Sequence, residues 1–296
     1  MAFLPPAPFI VGAPRSGTTL LRLMLDAHPN LAIPPETGFF SFSKDLCARA
    51  NLSREDFIQS LVSFPPEAPA WNDFHISRDE FDARIMNLNP FHAEDGFRLF
   101  YKMYAERFDK LRWGDKTPLH ARYLLDIQAV LPEAHFIHIV RDGRDVSISL
   151  REQWFSPGHD IKTQAVYWME NVETAHAQGG QCKYYLEIRF EDLILQTETT
   201  LLKICKFIEL DFHLNMLLYH ENASQRIQEH LERHKLDGNL LVSQSARQKQ
   251  QDSSMKKPDP AKIGMWKRLL TQQEIEQYEA IAAKTLQRYG YSLLSK

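Results

Sequence analysis

Two residue clusters in this 296-residue chain have the chemistry of anion binding. The first is Gly12-Ala-Pro14-Arg15-Ser16-Gly17-Thr18-Thr19, which lies between a short apolar run and an amphipathic one. Glycines at its two ends let the backbone take positive φ and come close to a ligand. Unpaired amides at the start of the following helix, with the helix dipole behind them, hold an anion. Arg15 adds a fixed charge, and Thr18 and Thr19 add hydroxyl donors. The loop departs from GxxxxGK[ST] at one place. Thr18 stands where that pattern has the lysine that reaches the β- and γ-phosphates of a nucleoside triphosphate, so the loop suits a ligand with fewer terminal charges.

The second cluster is Arg141 and Ser149. Arg141 ends the apolar run Phe136-Ile-His-Ile-Val140, and Ser149 follows two turns into the next helical stretch. A guanidinium grips phosphate oxygens in bidentate fashion, and a hydroxyl completes the shell. Ligands of open α/β sheets gather at the carboxyl ends of the strands. Asp142 allows a rival reading as a magnesium ligand after an apolar strand, which the missing loop lysine disfavours. A possible proton acceptor, Glu36, sits in Pro34-Pro35-Glu36-Thr37, where two prolines stiffen the chain before it. The ordinary fate of such a glutamate is exposure in a loop.

The elements that must position these residues alternate between apolar runs and helical patterns, the sign of an α/β fold with a mostly parallel central sheet. Strands are expected at residues 9–12, 111–114, 136–140 and 183–190, and helices at 18–27, 119–131, 144–153, 197–210 and 272–289. Residues 43–109 are expected to be a helical insertion, with capping-box-like starts at Ser53-Arg-Glu-Asp56 and Ser77-Arg-Asp-Glu80. Residues 237–262 are polar and rich in Ser, Gln, Lys and Pro, and are expected to be a mobile loop of the length that lids have. The whole chain, 1–296, is expected to be one domain.

Bulk properties exclude several classes. A formal net charge of −3 argues against non-specific nucleic-acid or anionic-membrane binding. The three cysteines, Cys47, Cys182 and Cys205, form no CxxC pair and match a reducing compartment. The apolar run near the start is too short for a signal peptide, and nothing approaches a transmembrane span, so a cytoplasmic location is expected. His230 and His234 are spaced to share a helix face, but Glu232 is misplaced for HExxH and no metal is expected there. His135 and His138 are expected to be core or strand-end residues. No GxSxG elbow is present.

Several blocks resemble P-loop sulfotransferases that use 3′-phosphoadenosine 5′-phosphosulfate (PAPS), and the resemblance is greatest to the tyrosylprotein branch. The blocks are the segment from Pro14 to Asn30, Glu36-Thr37, Asp115-Lys116-Thr117-Pro118, the segment from Val140 to Ser149, and Phe190-Glu-Asp-Leu193. A weaker echo is Ile263-Gly-Met-Trp-Lys267 with the final helix. The resemblance implies sulfuryl transfer from PAPS to an acceptor hydroxyl, leaving PAP. It implies Glu36 as general base, and Arg15 and Lys116 as cations at the leaving phosphate. It places the 5′-phosphosulfate on the loop from Gly12 to Thr19, with Pro14, Ser16 and Gly17 shaping the loop and Thr18 and Thr19 holding the group. It implies Arg141 and Ser149 at the 3′-phosphate, Phe190 near the adenine, and Ser254, Lys257 and Lys262 closing over the nucleotide. No metal is implied. Phe190 stands where the family often has Tyr. The tyrosylprotein branch has Arg beyond the Glu-Thr pair, whereas Gly38-Phe39-Phe40 follow here, an apolar surface in place of a basic one. The acceptor is therefore open among a hydroxylated small molecule, a lipid, a sugar and a protein tyrosine. A P-loop kinase or NTPase and an inactive nucleotide-binding scaffold are the competing readings. If Glu36 is not the base, His75 or His92 is the next choice.

Overall fold

Five consecutive buried residues, Ala7–Val11 (β1), form the first strand of a four-stranded sheet. A computed structural model describes residues 4–49 and 52–294. β1 pairs in parallel with Asp115–Lys116 (β2) on one side and Ala134–Val140 (β3) on the other. Tyr185–Arg189 (β4) extends the sheet from β3, giving the order β2-β1-β3-β4. Phe9 aligns with Asp115 and with Phe136. A parallel strand covered on both faces reads as a continuous apolar run, and all seven residues of β3 are buried.

Side chains alternate between the two faces. Phe9, Val11 and Phe136 enter one core with the helical insertion. Ile10, Ile137 and Ile139 enter another with Thr18–Asp26 (α1) and Leu193, Leu201 and Ile204. The insertion holds helices Ser43–Cys47, Arg54–Val62, Arg78–Ile85 and Ala93–Glu106 (α2). Ser53 and Ser77 cap two of them, accepting the N–H of Asp56 at 3.0 Å and of Glu80 at 3.4 Å. Phe39 and Phe40 are each 1% exposed and pack on Phe97 and Phe100. The stretch after Thr37 is therefore core, not the apolar surface expected from sequence.

Other boundaries also move. Arg112–Trp113 pairs with Leu31–Ala32 in a separate two-stranded ribbon, and the strand beside β1 is the next pair, Asp115–Lys116. The helix expected over 119–131 is split into a 3-10 turn, Pro118–Arg122, and a helix, Leu124–Val130, because Tyr123 leaves helical geometry at φ −131°. Phe190 opens the helix Phe190–Leu195 and does not close β4. After Gly143–Arg151 (α3) comes Ile161–Gly179 (α4), a long helix absent from the sequence reading. Asp160 caps it, and Ile161, Ala165, Trp168, Val172 and Ala175 make its buried stripe. It packs between α3 and the final helix, Gln272–Arg288 (α5), which has a full Thr271–Glu274 capping box. No helix among the described residues is long and apolar enough to cross a membrane.

Residues 237–262 carry more structure than a mobile loop. Leu240–Val242 pairs antiparallel with Arg233–His234, and Gln244–Lys249 is helical. Asp237-Gly238, with Gly238 at φ 81°, is the turn that closes this hairpin. His234 thus lies on a strand, is exposed and bonds to Glu232, so it shares no helix face with His230.

Candidate active site

A cavity of about 920 Å³ opens at the carboxyl ends of β1, β2 and β3, a size suited to a small-molecule site. Pro14, Arg15, Gly17, Thr18 and Thr19 line one end. Gly17 caps α1 at φ 101°, and the N–H groups of Thr18 and Thr19 meet no acceptor among the described residues. These are the free helix-start amides that bind anions. Two expected loop residues do not face the cavity. Gly12, at φ 152°, is a packing glycine, since a Cβ there would lie 2.5 Å from the Ile139 carbonyl oxygen. Ser16 is fully buried, and its hydroxyl donates to the Ala13 carbonyl at 2.6 Å.

Arg15 and Arg141 converge on the same end. Arg15 Nε donates to Ser149 Oγ at 2.9 Å, and Arg141 Nη1 donates to the Arg15 carbonyl at 3.3 Å. Ser149 and Arg141 therefore meet through Arg15 and not directly. Arg15 and Arg141 each also donate to a main-chain carbonyl of the 237–262 segment, Arg15 to Gln250 at 3.3 Å and Arg141 to Lys262 at 2.8 Å. Arg141 Nε is buried without a partner. Both guanidiniums are held below their ordinary value, each chiefly by burial, and Arg15 next by the charge of Arg141. Two desolvated cations pressed together form a site that an anion relieves.

Phe190 is a prop between Gly17 and Arg141. A Cβ on Gly17 would come within 2.4 Å of its ring, and the Arg141 guanidinium sits 4.6 Å from the ring centroid. Ser254, Lys257 and Lys262 line the wall formed by the 237–262 segment. Asp145 ties down the end of that wall by accepting the N–H groups of Gly264 at 2.7 Å and Trp266 at 2.9 Å. Asp142 does not line the cavity. Arg144 takes both of its carboxylate oxygens, at 3.0 and 2.8 Å, so it has no free oxygen for a cation. Among the described residues, no group of three or more His, Cys, Asp or Glu is placed to hold a metal ion.

Beyond the loop, Lys116 Nζ bonds Glu36 Oε1 at 2.5 Å and Thr19 Oγ1 at 3.3 Å. The lysine side chain is 2% exposed and the glutamate 48%. Burial pulls the ammonium of Lys116 below its usual range, against the opposing pull of Glu36. Lys116 does not itself line the cavity; from its buried position it joins the Glu36 carboxylate to Thr19 at the anion end. His75 and His92 do not line the cavity, which removes them as alternative bases; the lining histidines are His120 and His230. His135 stacks on Tyr184, and His138 bonds the Tyr185 hydroxyl at 2.7 Å, so both are core residues.

Several lining residues went unread in the sequence. Arg233 and Arg247 share Asp73, with contacts of 3.0 and 2.7 Å to the same oxygen. They reach the site only because the hairpin folds back over it, and the Asp237-Gly238 turn was the available signal. Trp154 and Phe155, 59% and 37% exposed, stand on the rim together with Leu119. His230 is buried, and its Nδ1 lies 3.1 Å from the Ile227 carbonyl, so that nitrogen carries the proton.

Burial, followed by the charges of Arg22 and Arg247, pushes His230 down to about 3 from 6.5. Below pH 6.5 the unfolded chain takes up a proton here that the folded chain refuses, so stability falls as pH drops toward 3. His230→Gln is expected to flatten that decline by up to one proton, about 1.4 kcal/mol per pH unit. Urea unfolding between pH 6.5 and 4 measures it; identical slopes for the two proteins would contradict the assignment.

Residues 6–213 match a family described as the sulfotransferase family. A protein-tyrosine sulfotransferase 1 of Danio rerio is 26% identical over 224 residues, 73% of this chain and 56% of its own length. The chain thus spans about half the length of that relative. The sulfotransferase domain from the curacin biosynthetic pathway superposes with a TM-score of 0.64 at 19% identity, over 99% of this chain and 100% of that one. A mouse sulfotransferase complexed with PAP superposes at 0.50 and 14% identity, over 95% and 84%. The two structural likenesses are of fold. The family match covers the loop, Glu36, Lys116, Arg141 and Ser149, and the chain belongs to the sulfotransferase family.

Proposed function

We propose that the chain transfers a sulfuryl group from PAPS to a hydroxyl carried on an apolar or aromatic body. The observation that carries the reading is the line from the free amides of α1 through Thr19 and Lys116 to Glu36. The residues fit the nucleotide. Arg141, with its orphaned Nε, and Arg15 would hold phosphate together with Ser149. Thr18, Thr19 and the loop amides would hold the 5′ end, and Ser254, Lys257 and Lys262 would cover it. PAPS supplies the sulfuryl group and a phosphate leaving group.

The acceptor oxygen forms a bond to sulfur as the bridging S–O bond breaks, and its proton passes to the Glu36 carboxylate. Lys116, which bonds Thr19 of the loop, and Arg15 are the cations we assign to the charge that grows on the departing oxygen. Apolar character on the acceptor side comes from Phe64, Leu119, Tyr123, Trp154 and Phe155. Arg233 and Arg247 are the cations there, and Asp73 already occupies them. That leaves little for acidic peptide flanks, so an acidic tyrosyl peptide is the poorer acceptor.

Two measurements test this. PAP is expected to raise the melting temperature in the presence of EDTA, since a ligand specific to the folded state stabilises it. Stabilisation by ATP with Mg²⁺ but not by PAP would favour the kinase reading instead. PAP release in the presence of an apolar phenol is expected to exceed that with an acidic tyrosyl peptide. The reverse order would overturn the acceptor assignment while leaving the transfer chemistry intact.

A further inference from the structure

The proton acceptor and the lysine beside it come from different parts of the chain, a loop after α1 and the strand β2. Glu36 is 48% exposed and lies between Pro35 and Gly38, which takes φ 67°. A carboxylate on such a loop would wander unless something fixed its main chain. The fixed point is next to Lys116. Asp115 is completely buried, and Thr37 Oγ1 donates to its Oδ2 at 2.8 Å. The same oxygen accepts from the Tyr101 hydroxyl at 2.9 Å. Its other oxygen lies 2.9 Å from Nδ1 of His120, while Nε2 of His120 accepts the Phe40 N–H at 3.4 Å. Two residues further along, Thr117 Oγ1 accepts the N–H of Thr37 at 3.1 Å and of Gly38 at 3.4 Å.

We infer that Asp115, acting through Thr37, is a positioning residue that sets Glu36 against Lys116, an inference that rests on Glu36 being the general base. The buried carboxylate takes three donors from three separate elements: the Glu36 loop, α2 and the turn after β2. Burial raises its proton affinity, but the His120, Thr37 and Tyr101 contacts outweigh that and hold it below the usual carboxylate range. An ionised group that is fully hydrogen-bonded and packed on a strand is a rigid anchor. Because Asp115 and Lys116 are adjacent on β2, any shift of the strand moves the anchor and the lysine together. The distance from base to lysine is thereby insulated from breathing of the loop. Misplacement of a reacting group by about 1 Å is enough to cost roughly 10²-fold.

The test uses Thr37, since Asp115→Asn in a closed core risks unfolding. Thr37→Val keeps the shape and removes only the hydroxyl; Thr37→Ser restores it. Five proteins are compared by PAP release under saturating PAPS and by PAP affinity: wild type, T37V, T37S, E36Q and the T37V/E36Q double variant. Turnover of T37V is expected to fall about tenfold or more, with PAP affinity unchanged and T37S close to wild type. In the E36Q background, T37V is expected to add nothing, because the group it positions is already gone. A T37V defect that multiplies in full onto E36Q would overturn the inference, since the hydroxyl would then act elsewhere. So would T37V turnover at the wild-type rate with E36Q impaired. An E36Q enzyme at the wild-type rate would overturn the base assignment and this inference with it, which separates the two failures.

Discussion

Glu36→Gln is expected to lower turnover by about 10²–10⁴-fold, the usual worth of general-base catalysis, with PAP affinity near wild type. The glutamine keeps the side-chain length and an oxygen that accepts from Lys116, so the lysine stays in place and only proton acceptance is lost. Such a change removes transition-state stabilisation and leaves nucleotide binding alone. The size of the loss should depend on the acceptor. An acidic phenol supplies its own oxyanion and needs the base less, so its defect should shrink as phenol acidity rises, whereas an alkyl alcohol should show the whole of it. PAP release across a series of phenols measures this. A flat series, with the same loss for every phenol, would mean that Glu36 does not take the proton.

The anion end of this site was readable because its chemistry is local. A glycine-bounded loop between an apolar run and a helix has few other uses, and α1 begins at Thr18 with its amides free, as expected. Arg141 and Ser149 were placed by the strand end and helix that carry them, and both face the cavity. The limit of that reading lay in direction. Types and spacing named Gly12 and Ser16 as loop residues, but only the packing of Gly12 on Ile139 and the inward hydroxyl of Ser16 show that neither lines the cavity. The same holds for Phe39 and Phe40, whose position after Glu36-Thr37 suggested a surface. The insertion supplies Phe97 and Phe100 to bury them, an encounter between residues far apart in sequence.

What went unread was non-local. Arg233 enters the cavity on a hairpin and Arg247 on the helix that follows it, in a stretch that a polar composition disguised as a loop. α4 was missed although its buried stripe is regular, because Gln164, Asn171 and the charged residues between dilute the apolar signal. Asp115 illustrates the point best. In sequence it is one acid before a lysine; only the fold brings Thr37, Tyr101 and His120 to its two oxygens.

Lys116→Met is expected to have an effect of similar size by a different route. The methionine keeps most of the aliphatic stem but removes the cation proposed to act on the departing oxygen. Loss of one preorganised donor of this kind typically costs about 10²–10³-fold in turnover. The stability consequence runs the other way from that of most buried-charge mutations. Breaking an ion pair is destabilising when it strands the partner's charge in the interior. Here the partner is Glu36, whose side chain is 48% exposed, while the lysine is the member that suffers desolvation. Lys116→Met should therefore melt at or slightly above the wild-type temperature while being nearly inactive, and thermal melts beside PAP release would show both. Its defect should also be the same for weakly and strongly acidic phenols, because the leaving group does not change with the acceptor. That independence separates Lys116 from Glu36. A Lys116→Met enzyme whose loss fades with acidic phenols would place the lysine on the proton path and not at the leaving oxygen, and one within threefold of wild type would remove it from catalysis altogether.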